Sequence, residues 1–370
     1  MITIGMLGRK SQATKLKYAM ACVAKMKDVN FFYFTPSDVN YDEKTIEGTY
    51  HTGDKWEKKT FDYPNYIYDR MLFRSKKKYL KLYEEFKNIP FNNEKSKGGS
   101  INKSQMYEVI ENSGCFLEYI IPYITVETID DIFKQLDKYG KIVCKANEGS
   151  LGVSVYSIEK TDETYTIQIK AERTVFDEVG CYQFIQDNIL NRNESFVVQP
   201  FIQSRTNDGN PFDIRAHLMK DENGQWTIAR IYPRIGARSS VVSNLHLGGS
   251  TCDIKMFLNK HITVENPQEL QKDLQKFVID FANTIEKQFD FHFSELGLDI
   301  AIDENEKVWL FEVNMNRINV QNLTFEAANL AISYGKYIAT KNHDNTLDKN
   351  SGQGDSEIPL SQRVLNKFFK

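Results

Sequence analysis

The first apolar run, Ile2 to Leu7, is short and unbroken, and Gly8 opens a turn after it. Beyond it the spacing changes. Leu16, Ala19, Met20, Val23 and Ala24 recur at helical intervals and predict a helix over Ala13 to Met26. Phe31-Phe32-Tyr33-Phe34 reads as a second buried strand, stopped by Thr35-Pro36. Strand, helix and strand in this order predict a parallel α/β unit. A further strand is expected at Tyr66-Ile67-Tyr68-Asp69-Arg70, followed by a Lys- and Tyr-rich helix over Lys76 to Phe86. The polar stretch Asn92 to Ser100, with Gly98-Gly99, has the composition of a domain boundary.

From Ser100 the texture differs. Asn102 or Ser104 suits the cap of a helix carrying Met106, Val109 and Ile110, and Thr125-Val126 precedes a helix with Ile129, Ile132, Phe133 and Leu136. Strand patterns then dominate: Ile142 to Cys144, Val153 to Ile158, Tyr165 to Ile169, Phe196 to Phe201, Ile214 to Met219 and Trp226 to Tyr232. A long amphipathic helix over Pro267 to Gln288 puts Leu270, Leu274, Phe277, Val278, Phe281 and Ile285 on one face. Strands at Leu298 to Ile302 and Val308 to Val313 follow. After Thr340 the chain turns polar, although Leu360, Val364, Leu365 and Phe368 would suit a short terminal helix. The pattern divides the chain into an N-terminal α/β domain over 1–97, a larger unit of α+β lobes over 98–340 and a polar tail over 341–370.

Composition narrows the partners. A net charge of −3 across 370 residues gives no general attraction to nucleic acid or anionic membrane. Cys22, Cys115, Cys144, Cys181 and Cys252 lack C-x-x-C spacing, which argues against a disulfide framework or a structural zinc site. No apolar run approaches the roughly 20 residues that cross a bilayer, and Met1-Ile2-Thr3 leads straight into a strand. A cytoplasmic protein is expected.

The residues that promise chemistry lie in the second half. Asp299 and Glu312 fall in two otherwise apolar strands joined by Asp303-Glu304-Asn305-Glu306, a hairpin-like turn. Antiparallel pairing would bring both carboxylates to one face, with Asn314 two residues beyond Glu312 on the same side. Hard oxygen ligands clustered in this way suit Mg²⁺, which takes few protein ligands and completes its shell with phosphate oxygens. A solvent-facing sheet edge is the plain alternative.

Lys145 ends a buried strand before a loop containing Gly149, Ser150 and Gly152. Backbone N–H groups of such a loop can approach phosphates, and the lysine adds a point charge. An ordinary hairpin with a surface lysine would look the same. Val197 to Ile202 could offer backbone groups to an adenine edge, and Asp213-Ile214-Arg215 is followed by Arg230, Arg234 and Arg238. Arginines near carboxylates suggest anionic substrates, or else pairing with surface acids.

Lys103, Lys145 with its glycine loop, the Gln199–Ile202 strand, Asp213-x-Arg215, Asn244 before Gly248-Gly249, Asp299 and Glu312-x-Asn314 succeed one another in an order that resembles the ATP-grasp superfamily over about residues 101–335. Over most of the chain, including Ile4-Gly5-Met6-Leu7 and Tyr68-Asp69-Arg70, it looks most like the YheC/YheD group, described as endospore-coat-associated. The Asp213-Ile-Arg215 and Ser243-to-Gly249 stretches are also similar to those of glutamate ligases that modify a ribosomal protein. The resemblance implies an ATP-grasp fold, two lobes sandwiching ATP, behind an N-terminal pre-ATP-grasp domain. It implies that Lys103 and Lys145 bind phosphates and that the Glu148–Gly152 loop closes over them. Gln199, Pro200, Phe201 and Ile202 become the adenine hinge, and Asp213 and Asn244 help to hold the nucleotide. Asp299, Glu312 and Asn314 match ligands of one or two Mg²⁺ ions, for which Mn²⁺ can substitute. Met315-Asn316-Arg317-Ile318 stands where the family often has Pro-Gly, Gln199 where it often has Glu, and Val242 where it has Arg.

The implied activity is that of an ATP-dependent carboxylate–amine ligase working through an acylphosphate, its partners a carboxylate substrate and an amine acceptor such as an amino acid, peptide or small molecule. Arg215, Arg234 and Arg238 are the candidates to neutralise transition-state charge, with Arg238 favoured because Gly236 and the serines after it suggest a loop able to reach the site. His217 and His246 are candidates for substrate contact or for packing, and Cys144 and Cys181 for packing. Rival readings are a phosphotransferase, which would leave a stable phosphorylated acceptor, and a non-catalytic nucleotide-binding coat protein. A homodimer is compatible with the sequence, but no motif marks its surface.

Overall fold

A computed structural model of the chain describes residues 1–10, 12–71, 79–93, 101–148, 154–238, 240, 249–315 and 323–350, with side chains through 342. Its first unit is a mixed sheet. β1 (Thr3–Leu7), β2 (Asn30–Phe34) and β6 (Tyr66–Asp69) are parallel neighbours in the order β2-β1-β6, as the strand–helix–strand pattern predicts. α1 (Lys15–Met26) makes the crossover, capped by Thr14, whose side chain accepts the Lys17 N–H. The sheet also carries β3 (Val39–Asn40) and the hairpin of β4 (Thr45–His51) and β5 (Trp56–Asp62). Sequence pattern misses that hairpin because Thr, Glu, Lys and Tyr alternate on a half-exposed surface with little apolar contrast. α2 (Leu80–Glu85) occupies part of the helix expected over Lys76 to Phe86; residues 72–78 lie outside the described residues.

The second layer begins with α3 (Lys103–Ser113). Asn102 caps it in a reciprocal capping box with Gln105. β7 (Ile124–Thr125), α4 (Ile129–Tyr139), β8 (Lys141–Ala146), β9 (Val155–Thr161), β10 (Thr164–Ile169), β11 (Glu172–Phe176), α5 (Glu178–Ile185) and β12 (Phe196–Pro200) follow, the strands forming a sheet in the order β11-β10-β9-β8-β12-β7. β13 (Phe212–Lys220), β14 (Trp226–Ile235), β15 (Glu295–Ile302) and β16 (Val308–Met315) make an antiparallel sheet ordered β14-β13-β15-β16. Between its strands the chain forms α6 (Ile254–Lys260) and the twenty-residue α7 (Pro267–Glu286), with Pro267 in its first turn.

Alternation along β13 divides the molecule. Phe212, Ile214, Ala216 and Leu218 join Phe257, Phe277, Val278 and Phe281 in the largest core. Asp213, Arg215 and His217 point to the opposite face. α8 (Thr324–Asn350) carries the helical backbone through residues 341–350, where the sequence suggests a polar tail. It packs on the N-terminal unit, so that Ala327, Ala328, Ala331 and Ile332 share a core with Ile4, Met20, Tyr66 and Tyr68. At Gly335 an added Cβ would lie 2.7 Å from the Tyr66 ring, so glycine is required for this close approach. Residues 351–370, including the expected terminal helix, lie outside the described residues.

Candidate functional site

β15 and β16 pair as expected, with Asp299 opposite Glu312 and a bulge immediately after Asp299. The turn between them is held by the Asp303 carboxylate, which accepts from the Asn305 and Lys307 N–H groups. Cross-strand partners share a face, so Asp299, Glu312 and Asn314 lie together; Asn314 Nδ2 donates to Asp299 Oδ2 at 3.4 Å.

Asp299 is 5 % exposed and held by two arginines. Arg215, its neighbour on β13, grips it through Nε and, at 2.9 Å, Nη2. Arg234 on β14 reaches it with Nη2 at 3.0 Å while binding Asp213 through Nε at 2.5 Å and Nη2 at 2.8 Å. Burial by itself would raise the Asp299 carboxyl, but the two guanidinium groups outweigh it and hold it below the usual range. Arg238 is exposed and its guanidinium packs beside Gly209, so it is not among the groups meeting at Asp299.

Across a cleft of about 200 Å³ stands α3. Lys103, Tyr107 and Asn147 line one side; Glu312 and Asn314 line the other. Lys103 Nζ lies 3.5 Å from Glu312 Oε1. The amides at the start of α3 are already engaged: Lys103 N–H donates to Asn147 O, Ser104 N–H to Asn147 Oδ1 and Gln105 N–H to Asn102 Oδ1. An anion here meets the lysine side chain rather than the helix terminus.

Lys145, on β8, is half-buried, with its ammonium 5.3 Å from the Phe311 ring. Desolvation lowers its pKa to about 8 against the opposing pull of Glu312, with Lys103 lowering it further. Its Nζ donates to Gln199 Oε1 at 3.1 Å. Pro200, the last residue of β12, has no N–H, and the Phe201 N–H just beyond it donates to Lys141 O at 3.0 Å. Ile202 N–H is therefore the first main-chain donor beyond β12 with no partner among the described residues. Gly149, Ser150, Gly152, Asn244 and His246 lie outside those residues. His217 is fully buried, both ring nitrogens lack partners among the described residues, and burial lowers its imidazole to about 4, so it is neutral. Sequence reasoning missed Tyr107, Asn147 and Phe311; Tyr107 had one signal, its place one helical turn after Lys103.

The donor set also limits which cation could bind. Among the described residues no three His, Cys, Asp or Glu side chains converge as a complete cage. Asp299, Glu312 and Asn314 supply too few oxygens alone, and they fit an ion that arrives with phosphate oxygens of its own.

One sheet carrying Lys145, set against a second carrying the carboxylates and arginines, with Lys103 on α3 beside Glu312, has the arrangement of the ATP-grasp class. The chain belongs to the family described as YheC/D like ATP-grasp, whose profile matches residues 88–336. It is 27 % identical over 297 residues to endospore coat-associated protein YheD of Bacillus subtilis (strain 168), covering 76 % of this chain and 63 % of that protein. With YheC of the same strain it shares 23 % identity over 327 residues, covering 85 % and 88 %. Among solved structures, D-alanyl-alanine synthetase A from Vibrio cholerae O1 biovar eltor str. N16961 superposes with a TM-score of 0.55 at 12 % identity, covering 93 % of this chain and 99 % of that one. The shared fold is the ATP-grasp fold. No helix among the described residues is long and apolar enough to cross a membrane.

Proposed function

We propose that the chain is an ATP-dependent carboxylate–amine ligase that forms an amide or peptide bond and releases ADP and phosphate. The observation that carries this reading is the gathering of Lys103 and Lys145 around Glu312, with Asn314 and the Arg215–Asp299–Arg234 cluster beside it. Four cations meet the three carboxylates of Asp213, Asp299 and Glu312, an excess of positive charge suited to a triphosphate.

In this reading a carboxylate oxygen of the substrate bonds to the γ-phosphorus and the bond to ADP breaks. The amine then attacks the acylphosphate carbon, phosphate leaves and the nitrogen gives up a proton. Lys103 and Lys145 hold the phosphates, and the Ile202 N–H faces the adenine edge. Asp299, Glu312 and Asn314 would hold Mg²⁺, which supplies charge neutralisation for phosphoryl transfer. Arg234 and Arg215, fixed by Asp213 and Asp299, stand ready beside the developing charge. No side chain need act as a covalent nucleophile; buried Cys144 and Cys181 have thiols raised far above the reactive range.

The test is purified protein with MgATP and a panel of amino acids and dipeptides, read for products by mass spectrometry and for ADP and phosphate separately. Equal ADP and phosphate, with hydroxylamine trapping the acyl group, is expected. A stable phosphorylated acceptor without free phosphate would instead mean a phosphotransferase, and binding without turnover a non-catalytic assembly protein. Glu312→Gln should keep the fold but lower turnover by about 10²-fold or more, because a charged ligand is lost while shape is kept.

A further inference from the structure

We propose that Gln199 is a positioning residue that sets the spacing of Lys103 and Lys145 and so tunes the site for the phosphates of ATP rather than for its adenine. The inference rests on the nucleotide reading above. Gln199 is 1 % exposed and its amide is fully engaged. Oε1 accepts from Lys145 Nζ at 3.1 Å, and Nε2 donates to Tyr107 Oη at 3.2 Å and to Ile121 O at 3.3 Å. Chemistry fixes the orientation of the amide: an ammonium only donates and a backbone carbonyl only accepts. With both N–H groups committed, this side chain has no donor left for a base.

The three partners belong to three pieces of backbone. Lys145 is on β8, Ile121 precedes β7, and Tyr107 lies on α3 one turn after Lys103. Residues four apart share a helix face, so the amide that holds Tyr107 also indexes Lys103. One side chain thereby fixes the distance between two cations on different elements. A carboxylate at this position would do something else. It has no N–H to offer Ile121 O, and it would form an ion pair with Lys145 that competes with a phosphate. Glutamine holds the lysine without cancelling its charge.

The experiment measures affinity for MgATP, MgADP and adenosine by competition with a fluorescent nucleotide. It uses full-length wild type, Gln199→Leu, Gln199→Glu and Tyr107→Phe, with thermal unfolding of each as a folding control. Gln199→Leu and Gln199→Glu should weaken MgATP about 10-fold, MgADP by less, and adenosine by no more than about twofold. Tyr107→Phe, which keeps the ring and removes only the hydroxyl, should show the same ordering at about threefold for MgATP. Equal weakening of all three ligands would assign Gln199 to the adenine or to general packing and overturn the inference, as would no change in any. Should Gln199→Leu unfold, Gln199→Glu and Tyr107→Phe decide by the same ordering. If wild type binds adenosine and MgATP alike, or neither, the nucleotide reading fails and takes this inference with it.

Discussion

The two sides of the cleft handle charge in opposite ways. On the lysine side, Lys145 is met by a neutral amide and an aromatic face. On the carboxylate side, Asp213, Arg234, Asp299 and Arg215 form an unbroken chain of alternating charge, largely out of water. Lys103 pairs with Glu312, but Lys145 keeps its charge against a neutral amide, while the carboxylate sheet stores rigid geometry. A desolvated cation with a neutral partner is costly at rest and gains most when an anion arrives, whereas a paired network gains stability only while complete.

The sharpest way to break this contrast is to remove one member from each side. Asp299→Ala strands the buried Arg215 guanidinium and takes from Arg234 one of its two carboxylate partners, and should cost about 3–5 kcal/mol of unfolding free energy in denaturant titration. Lys145→Met should leave stability within about 1 kcal/mol while weakening MgATP strongly, because the lost hydrogen bond and the pull of Glu312 are offset by the relief of burying a cation. Similar stability losses for both variants would erase the distinction.

Within the carboxylate side, geometry should matter as much as charge. Arg234→Lys keeps the cation but loses its forked grip on Asp213 and its reach to Asp299, and should lower turnover by about 10²-fold. Arg238→Lys, at an exposed position beside Gly209, should act far more weakly in the same steady-state assay. The reverse result would move the transition-state role to Arg238.

The lysine side should reveal itself through pH, with the smallest effect. Because desolvation lowers Lys145 to about 8, its ammonium is charged below that pH and lost above it. MgATP affinity should fall by up to about tenfold per unit above pH 8, and binding there should take up a proton, visible as buffer-dependent heat in calorimetry. Ligand-free stability moves the other way. Between about pH 8 and 10.5 the unfolded lysine holds more protons than the folded one, so this group's contribution rises with pH. A pH-independent affinity, or one unchanged in Lys145→Met, would remove the lysine from the phosphate site.

Much of this was legible in the sequence, for a specific reason. Asp299, Glu312 and Asn314 stand out because charged residues interrupt apolar strands, and their register follows from a turn whose residues announce it. Lys103 and Lys145 were legible only through their order relative to those strands. What the chain concealed are partners that exist in space alone. Gln199 reads as a strand residue until Tyr107, 92 positions away, lies against it. The Arg215–Asp299 contact spans 84 positions and reflects sheet order, which local pattern does not encode. The glycine loop and Asn244 remain expectations from order.

The course of α8 has a consequence for synthesis. Tyr66, Ile4 and Met20 are made well before the helix that covers them, which begins only at Thr324. Lys336 even closes the C-terminal carbonyl of α1, donating to Lys27 O at 2.7 Å. At about 5–20 residues per second, the newborn N-terminal sheet waits tens of seconds with the part of one apolar side beyond α1 uncovered. A nascent chain stalled before residue 324 should therefore hold that sheet in a form that chaperones recognise, and release from them should follow emergence of α8.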